Sequence, residues 1–205
     1  MKEVRILEYI NNNIGKSAII KLAQEASSRT YYRIKSNKNS YILMDSKNES
    51  SQFSSLLNVY NIIKNVNVSI PKILNYDSSK NIMILEDFGD NRFDKLINDS
   101  KYTSHLLSIA IQSLVVFKNS IKYEKNIEIP IYNYNIFRKE ISEFVDLYYP
   151  FIWKKNISKD NKKNFFDIWE KKYHQINLKS DSFVHKDFFC NNLFYLPFRQ
   201  KHLRC

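Results

Sequence analysis

His185-Lys186-Asp187-Phe188-Phe189-Cys190-Asn191-Asn192 places an aspartate two residues after a histidine, and an asparagine five residues after that aspartate. Metal-assisted phosphoryl transfer needs both ends of such an H-x-D-x-x-x-x-N spacing. A carboxylate takes or orients the proton of an attacking hydroxyl, and an amide oxygen further round the loop reaches a divalent cation on the nucleotide phosphates. Asp187 is therefore the candidate catalytic base and Asn192 the candidate Mg²⁺ ligand. His185 reads as a brace for the loop and not as the proton carrier. The apolar runs at 182–184 and 193–196 read as short flanking strands. In an Asn-rich chain with four histidines the match is by itself open to coincidence, so its weight depends on what lies upstream.

Upstream, residues 2–12 show a loose apolar helical face. Residues 17–23, 29–35 and 40–45 read as strands, the last two joined by the turn Ser36-Asn37-Lys38-Asn39. Residues 50–65 carry Phe53, Leu56, Leu57, Tyr60 and Ile63 at helical spacing. Residues 73–76 and 82–86 are two more strands around a polar turn at 77–80. After Phe88-Gly89-Asp90 the pattern becomes helical. A short helix is expected at 93–98 and a long one at 102–119, burying Leu106, Leu107, Ile109, Ala110, Leu114 and Phe117. A third is expected at 135–149, with Phe137, Ile141, Phe144, Val145 and Tyr148 as its stripe. A fourth spans 163–175 around Phe166, Trp169 and Tyr173. The expectation is an α+β protein of two lobes: a small antiparallel sheet with one helix at 1–88, then a helical lobe at 89–205. That is a protein-kinase-like arrangement, with Gly89 where the lobes meet.

Composition narrows the class. A hydrophobic fraction of 43% and an aromatic fraction of 15% suit a folded chain. The net charge of +11 admits nucleic acid, but the lysines are scattered among Asn and Ile with no basic stripe or recognition motif, so no nucleic-acid partner is expected. Cys190 and Cys205 make neither a disulfide framework nor a metal site. Residues 1–7 lack the apolar core of a signal peptide, and the run 109–117 is too short to span a bilayer. No membrane association is expected, and the expected compartment is the cytoplasm. With only two glycines, Gly15 and Gly89, there is no glycine-rich phosphate cradle. Gly15-Lys16-Ser17 is no P-loop, since Ile10 stands where the earlier glycine belongs.

Three segments in order carry a resemblance. Ala26-Ser27-Ser28-Arg29-Thr30-Tyr31-Tyr32-Arg33 leads to Tyr41-Ile42-Leu43-Met44-Asp45; Ile84-Leu85-Glu86-Asp87-Phe88-Gly89-Asp90 follows; His185 to Phe194 closes the set. In these the chain resembles the aminoglycoside phosphotransferase family, most closely its bacterial branch of N-acetylmuramate and N-acetylglucosamine anomeric kinases. The resemblance implies ATP and Mg²⁺ as cofactors and a small-molecule hydroxyl acceptor, an amino sugar in the first instance. It gives Ser27 and Ser28 as phosphate donors, Arg29 and Arg33 as candidate phosphate cations, and the main chain of Glu86 and Phe88 as the adenine hinge. Plain readings stand beside these: an ordinary hairpin with solvated arginines, and a strand end turning at Gly89. Glu140, Glu143 and Asp146 on one helix are candidates for a cationic substrate's face, against a merely solvated one.

Two departures from the family pattern shape the expectation. The strand ending Met44-Asp45 has no lysine for the α- and β-phosphates, and Lys47 lies just beyond it; the Met-Asp ending is nonetheless typical of the resembling branch. Kinase-like enzymes also hold Mg²⁺ with an aspartate on the strand after the loop. Residues 201–205 read as the start of that strand, and no aspartate follows Asp187. The expected protein is thus a C-terminally truncated ATP-dependent phosphotransferase, with a complementing C-terminal fragment as a candidate partner. The alternative is a catalytically inactive nucleotide-binding remnant of such a kinase.

Overall fold

The computed structural model describes residues 2–23, 29–37, 39–47, 50–120, 129–176, 178 and 182–197. It is a mixed α+β protein around one five-stranded antiparallel sheet. The chain divides into two compact units, Met1–Lys122 with Phe183–Cys205, and Tyr123–Ser182. The lobe boundary expected at 88/89 falls inside the first unit, because the segment after 182 returns to the sheet-bearing part of the chain.

In the first unit, α1 (Lys2–Asn13) precedes β1 (Ala18–Lys21), β2 (Thr30–Ser36) and β3 (Asn39–Asp45). Then come α2 (Ser50–Ile63), β4 (Ile73–Asp77) and β5 (Ile82–Glu86). The strand order is β1-β2-β3-β5-β4 with every pair antiparallel. Alternation along the strands sorts the side chains onto two faces. Ile34, Leu43, Ile82 and Ile84 meet Ile6, Tyr9 and Ile10 of α1. Met44 and Met83 meet Phe53 of α2, with Tyr31, Leu56, Leu57, Ile73 and Leu85 packed around them. Both faces are therefore covered. Each fully buried Leu, Ile, Met or Phe here contributes about 1.5–3 kcal/mol. A register shift between Ile73 and Asn75 marks a bulge in β4, and Leu74 is exposed there.

After the sheet come α3 (Phe93–Leu96) and α4 (Ser100–Ser120). On α4, Leu106 and Phe117 are buried and Ile109 and Ala110 half-buried, but Leu107 and Leu114 are exposed. The buried stripe is narrower than the apolar pattern. The expected strands at 182–184 and 193–196 do not form. Ser182–Val184 has no sheet neighbour among the described residues, and 193–196 finds only the short segment 91–93, so pairing reduces to one bridge, Arg92 to Phe194.

The second unit holds α5 (Tyr134–Glu143), α6 (Tyr149–Trp153) and α7 (Lys159–Ile176). Asn133 caps α5, its side chain accepting from the Ile136 amide at 3.2 Å. A π-helical turn, Phe144–Tyr148, joins α5 to α6. That wider turn rotates the face, so the expected stripe splits: Val145 is buried while Phe144 and Tyr148 are exposed and stack at 5.6 Å. Lys154, left-handed with φ 51°, ends α6. Phe137 packs against Tyr173 at 5.1 Å and Trp169 at 5.8 Å, and Arg138 lies 4.0 Å over the Phe166 ring. Among the described residues, no helix is long and apolar enough to cross a membrane.

Candidate functional site

The loop begins where α4 presents Phe117. The ring lies 5.9 Å from Phe183 and 6.3 Å from His185, and His185 meets Phe188 edge-on at 5.4 Å. His185 is exposed overall, but the flanking rings desolvate part of the imidazole. This burial lowers the His185 pKa, opposed in part by Asp187, and the ring is neutral near pH 7. Aromatic packing thus fits His185 to bracing. Lys186 adopts a left-handed φ of 65° and swings Asp187 out into solvent.

The chain then closes on itself. Asn192 N–H donates to the Phe189 carbonyl at 2.9 Å across the 3₁₀ turn Cys190–Asn192. That turn brings Asn192 Nδ2 back to Asp187, where it donates to Oδ2 at 2.8 Å and to the main-chain carbonyl at 3.0 Å. The Asn192 amide nitrogen is thereby spent on Asp187. The two residues singled out by their spacing are neighbours.

The Glu86–Gly89 segment adjoins the loop. Phe93 N–H donates to the Leu193 carbonyl at 2.9 Å and Tyr195 N–H to the Asn91 carbonyl at 2.8 Å. Phe88 meets Phe194 edge-on at 5.9 Å. A cavity of about 350 Å³ opens beside them, lined mainly by apolar side chains including Val68, Ile70 and Phe117, with Phe88, Phe188 and Asn192 also on its wall. This is the lower end of small-molecule pocket volumes.

The other expected residues fall in different places. Ser27 and Ser28 lie outside the described residues, as do residues 198–205 with Cys205. Arg29 donates to Gln52 Oε1 of α2 at 3.1 Å. Arg33 instead reaches the segment after β5, donating to Asp90 at 2.7 Å, to Asp87 at 3.1 Å and to the Gly89 carbonyl at 2.9 Å. Its Nε lies 2.8 Å from Asp87 Oδ2 without its N–H aimed there, so that contact is electrostatic and not a hydrogen bond. Glu86 closes the sheet through its amide, which donates to the Lys72 carbonyl at 2.9 Å. At the end of β3, Asp45 is buried and paired with Arg5 of α1, while Lys47 contributes its backbone amide to Asp45 at 3.1 Å.

On the second unit's acidic face, Glu140 accepts from the Tyr132 hydroxyl at 2.7 Å and Asp146 pairs with Lys162. Burial, then Glu140, pushes the Tyr132 hydroxyl up to about 12. Two of the three candidate acids are thus engaged within their own unit.

The Arg5–Asp45 pair and the Arg33–Asp87–Asp90 cluster were not legible beforehand. Their partners are far apart in sequence, and no local spacing signals them. The chain matches no protein-family model, and no curated protein matches it significantly in sequence.

Proposed function

We propose that this chain performs ATP-dependent phosphoryl transfer to a hydroxyl of a small molecule, an amino sugar in the first instance, on a two-lobed protein-kinase-like scaffold. One observation carries the reading: the Asp187 carboxylate and the Asn192 amide converge on one bend, and the residues just after it, Leu193 and Tyr195, are hydrogen-bonded to the segment following β5. The element order of three strands, helix and two strands before that segment supports it as well.

The donor set suits Mg²⁺ in kind. Asn192 Oδ1 is a hard oxygen, and Mg²⁺ takes most of its remaining ligands from phosphates and water. Asn192 would hold the ion, which when bound neutralises charge on the transferring phosphoryl group. Asp187 accepts the proton of the acceptor hydroxyl at a carboxylate oxygen. The Asn192 amide orients that carboxylate, and the neutral His185 keeps the loop against Phe117 and Phe188. The main-chain groups of Glu86 and Phe88 bracket the adenine edge, and Arg29 serves the polyphosphate.

A second reading is nucleotide binding without turnover. Calorimetry with Mg·ATP, followed by ³¹P NMR of mixtures containing N-acetylglucosamine, N-acetylmuramate or an aminoglycoside, separates the two. A phosphorylated sugar that disappears in Asp187→Asn is the expected result. Binding without product establishes the second reading, and no binding refutes both.

A further inference from the structure

We propose that Arg33 is a positioning residue, clamping residues 87–90 to the sheet so that the main-chain groups flanking Asp87 are preset for a nucleotide base. The proposal rests on the reading of 85–88 as a nucleotide hinge.

Alternation puts Arg33 of β2, Ser40 of β3 and Asp87 just after β5 on the α2 face of the sheet. The guanidinium then reaches three acceptors in one short stretch. Nη2 donates to Asp87 Oδ1 at 3.1 Å and to the Gly89 carbonyl at 2.9 Å, and Nη1 donates to Asp90 Oδ1 at 2.7 Å. Asp87 is saturated from other sides too. Ser40 Oγ donates to its Oδ2 at 2.5 Å, and the Gly89 amide donates to its Oδ1 at 2.8 Å. Gly89 has φ +82°, a conformation that ordinary side chains resist, so the turn itself is sharp. Phe88 is therefore held between two anchored neighbours.

A planar fork does this and an ammonium does not. Arginine presents several donors in fixed directions, whereas lysine offers one mobile point charge. Exposure ranks the contacts. The side chains of Arg33 and Asp87 are 15% and 5% exposed, while Asp90 is 72% exposed and sits at a solvated rim. Asp87 is the principal partner and Asp90 a minor one. Burial works against the Arg33 charge, but Asp90 and Asp87 outweigh it and raise the pKa, and the Arg33 hydrogen bond lowers that of Asp90.

The phosphate role expected for Arg33 requires this cluster to open; the clamp requires it to stay closed while nucleotide binds. Amide hydrogen exchange over 85–91, with Mg·ATP affinity and steady-state kinetics, tests the difference in Arg33→Gln, Arg33→Lys, Asp87→Asn and Asp90→Ala. Arg33→Gln and Asp87→Asn are expected to speed exchange at 86–90 about tenfold and weaken Mg·ATP about tenfold, with kcat within about twofold. Arg33→Lys restores only part of the loss, and Asp90→Ala changes little. Unchanged exchange in Arg33→Lys, the charge-preserving variant that keeps the fold if Arg33→Gln does not, overturns the clamp. A kcat loss of about 100-fold with normal exchange also overturns it and returns Arg33 to the phosphates. Faster exchange in a protein whose parent binds no Mg·ATP overturns the nucleotide reading and the positioning role with it.

Discussion

Arg5, on the first helix, forms an ion pair with Asp45, the last residue of β3, whose side chain is only 1% exposed. The Arg5 guanidinium also donates to the Lys80 carbonyl, so one side chain ties α1 to the ends of two structural segments. Asp45 Oδ2, Arg5 Nε and Ser46 Oγ are buried there with no hydrogen-bond partner among the described residues. A buried pair like this adds little net stability, yet losing one member is costly because the other stays buried and charged.

Arg5→Ala is therefore expected to cost about 3 kcal/mol, and Asp45→Asn somewhat less, in urea unfolding. The double change Arg5→Met with Asp45→Leu is expected to recover most of that loss, since it leaves no stranded charge. Additive losses in the double variant would show that the pair is not coupled.

Tyr9 is 5% exposed, and its hydroxyl has no hydrogen-bond partner among the described residues. Burial first, then Asp77, pushes that hydroxyl up to about 12. Tyr9→Phe removes a desolvated polar group while keeping the ring against Ile34 and its neighbours. Its melting temperature should be unchanged or higher, by up to about 1 kcal/mol in stability. A clear drop would mean that the hydroxyl has a partner after all.

For the loop, Asp187→Asn is expected to lower kcat about 10²- to 10⁴-fold while sparing Mg·ATP affinity. Asn192→Ala removes an exposed contact, so its unfolding midpoint should move by less than about 1 kcal/mol. Its apparent Mg²⁺ requirement should nonetheless rise. Equal loss of stability in both variants, with no change in Mg²⁺ dependence, would contradict the assigned roles.

His185 gives a pH signature. Its folded-state pKa is depressed, chiefly by burial, below the ordinary histidine value of about 6.5. Unfolding therefore takes up a proton between that value and the lower native one. The stabilisation is present above about pH 6.5 and is lost as pH falls through the native pKa. Thermal melts from pH 8 to pH 5 should show this loss, and His185→Gln should flatten the curve in that window. Parallel curves for the two proteins would exclude His185 as the source.

Much of the first unit was readable in advance because periodicity is a local property. Leu43 and Met44 alternate toward opposite helices, as a strand buried on both faces requires, and Phe53, Leu56 and Leu57 recur at helical spacing. The acidic-amide loop was readable for a similar reason: five residues are enough for a 3₁₀ turn to bring Asn192 back to Asp187. Leu107 and Leu114 misled, since an apolar residue at helical spacing does not say how wide a stripe its neighbours cover. The π turn at Phe144–Tyr148 misled similarly, because one widened turn offsets every later position of a stripe.

Residue order alone determined that this chain alternates strands and helices, and that a carboxylate and an amide meet on one short bend. Tertiary structure alone decided that Arg33 grips Asp87 across 54 positions and that Arg5 finds Asp45 across 40. Spacing specifies which face a side chain occupies, but an ion pair also needs two faces brought together in register. That register follows from how the strands and helices pack, which no single stretch of the chain contains.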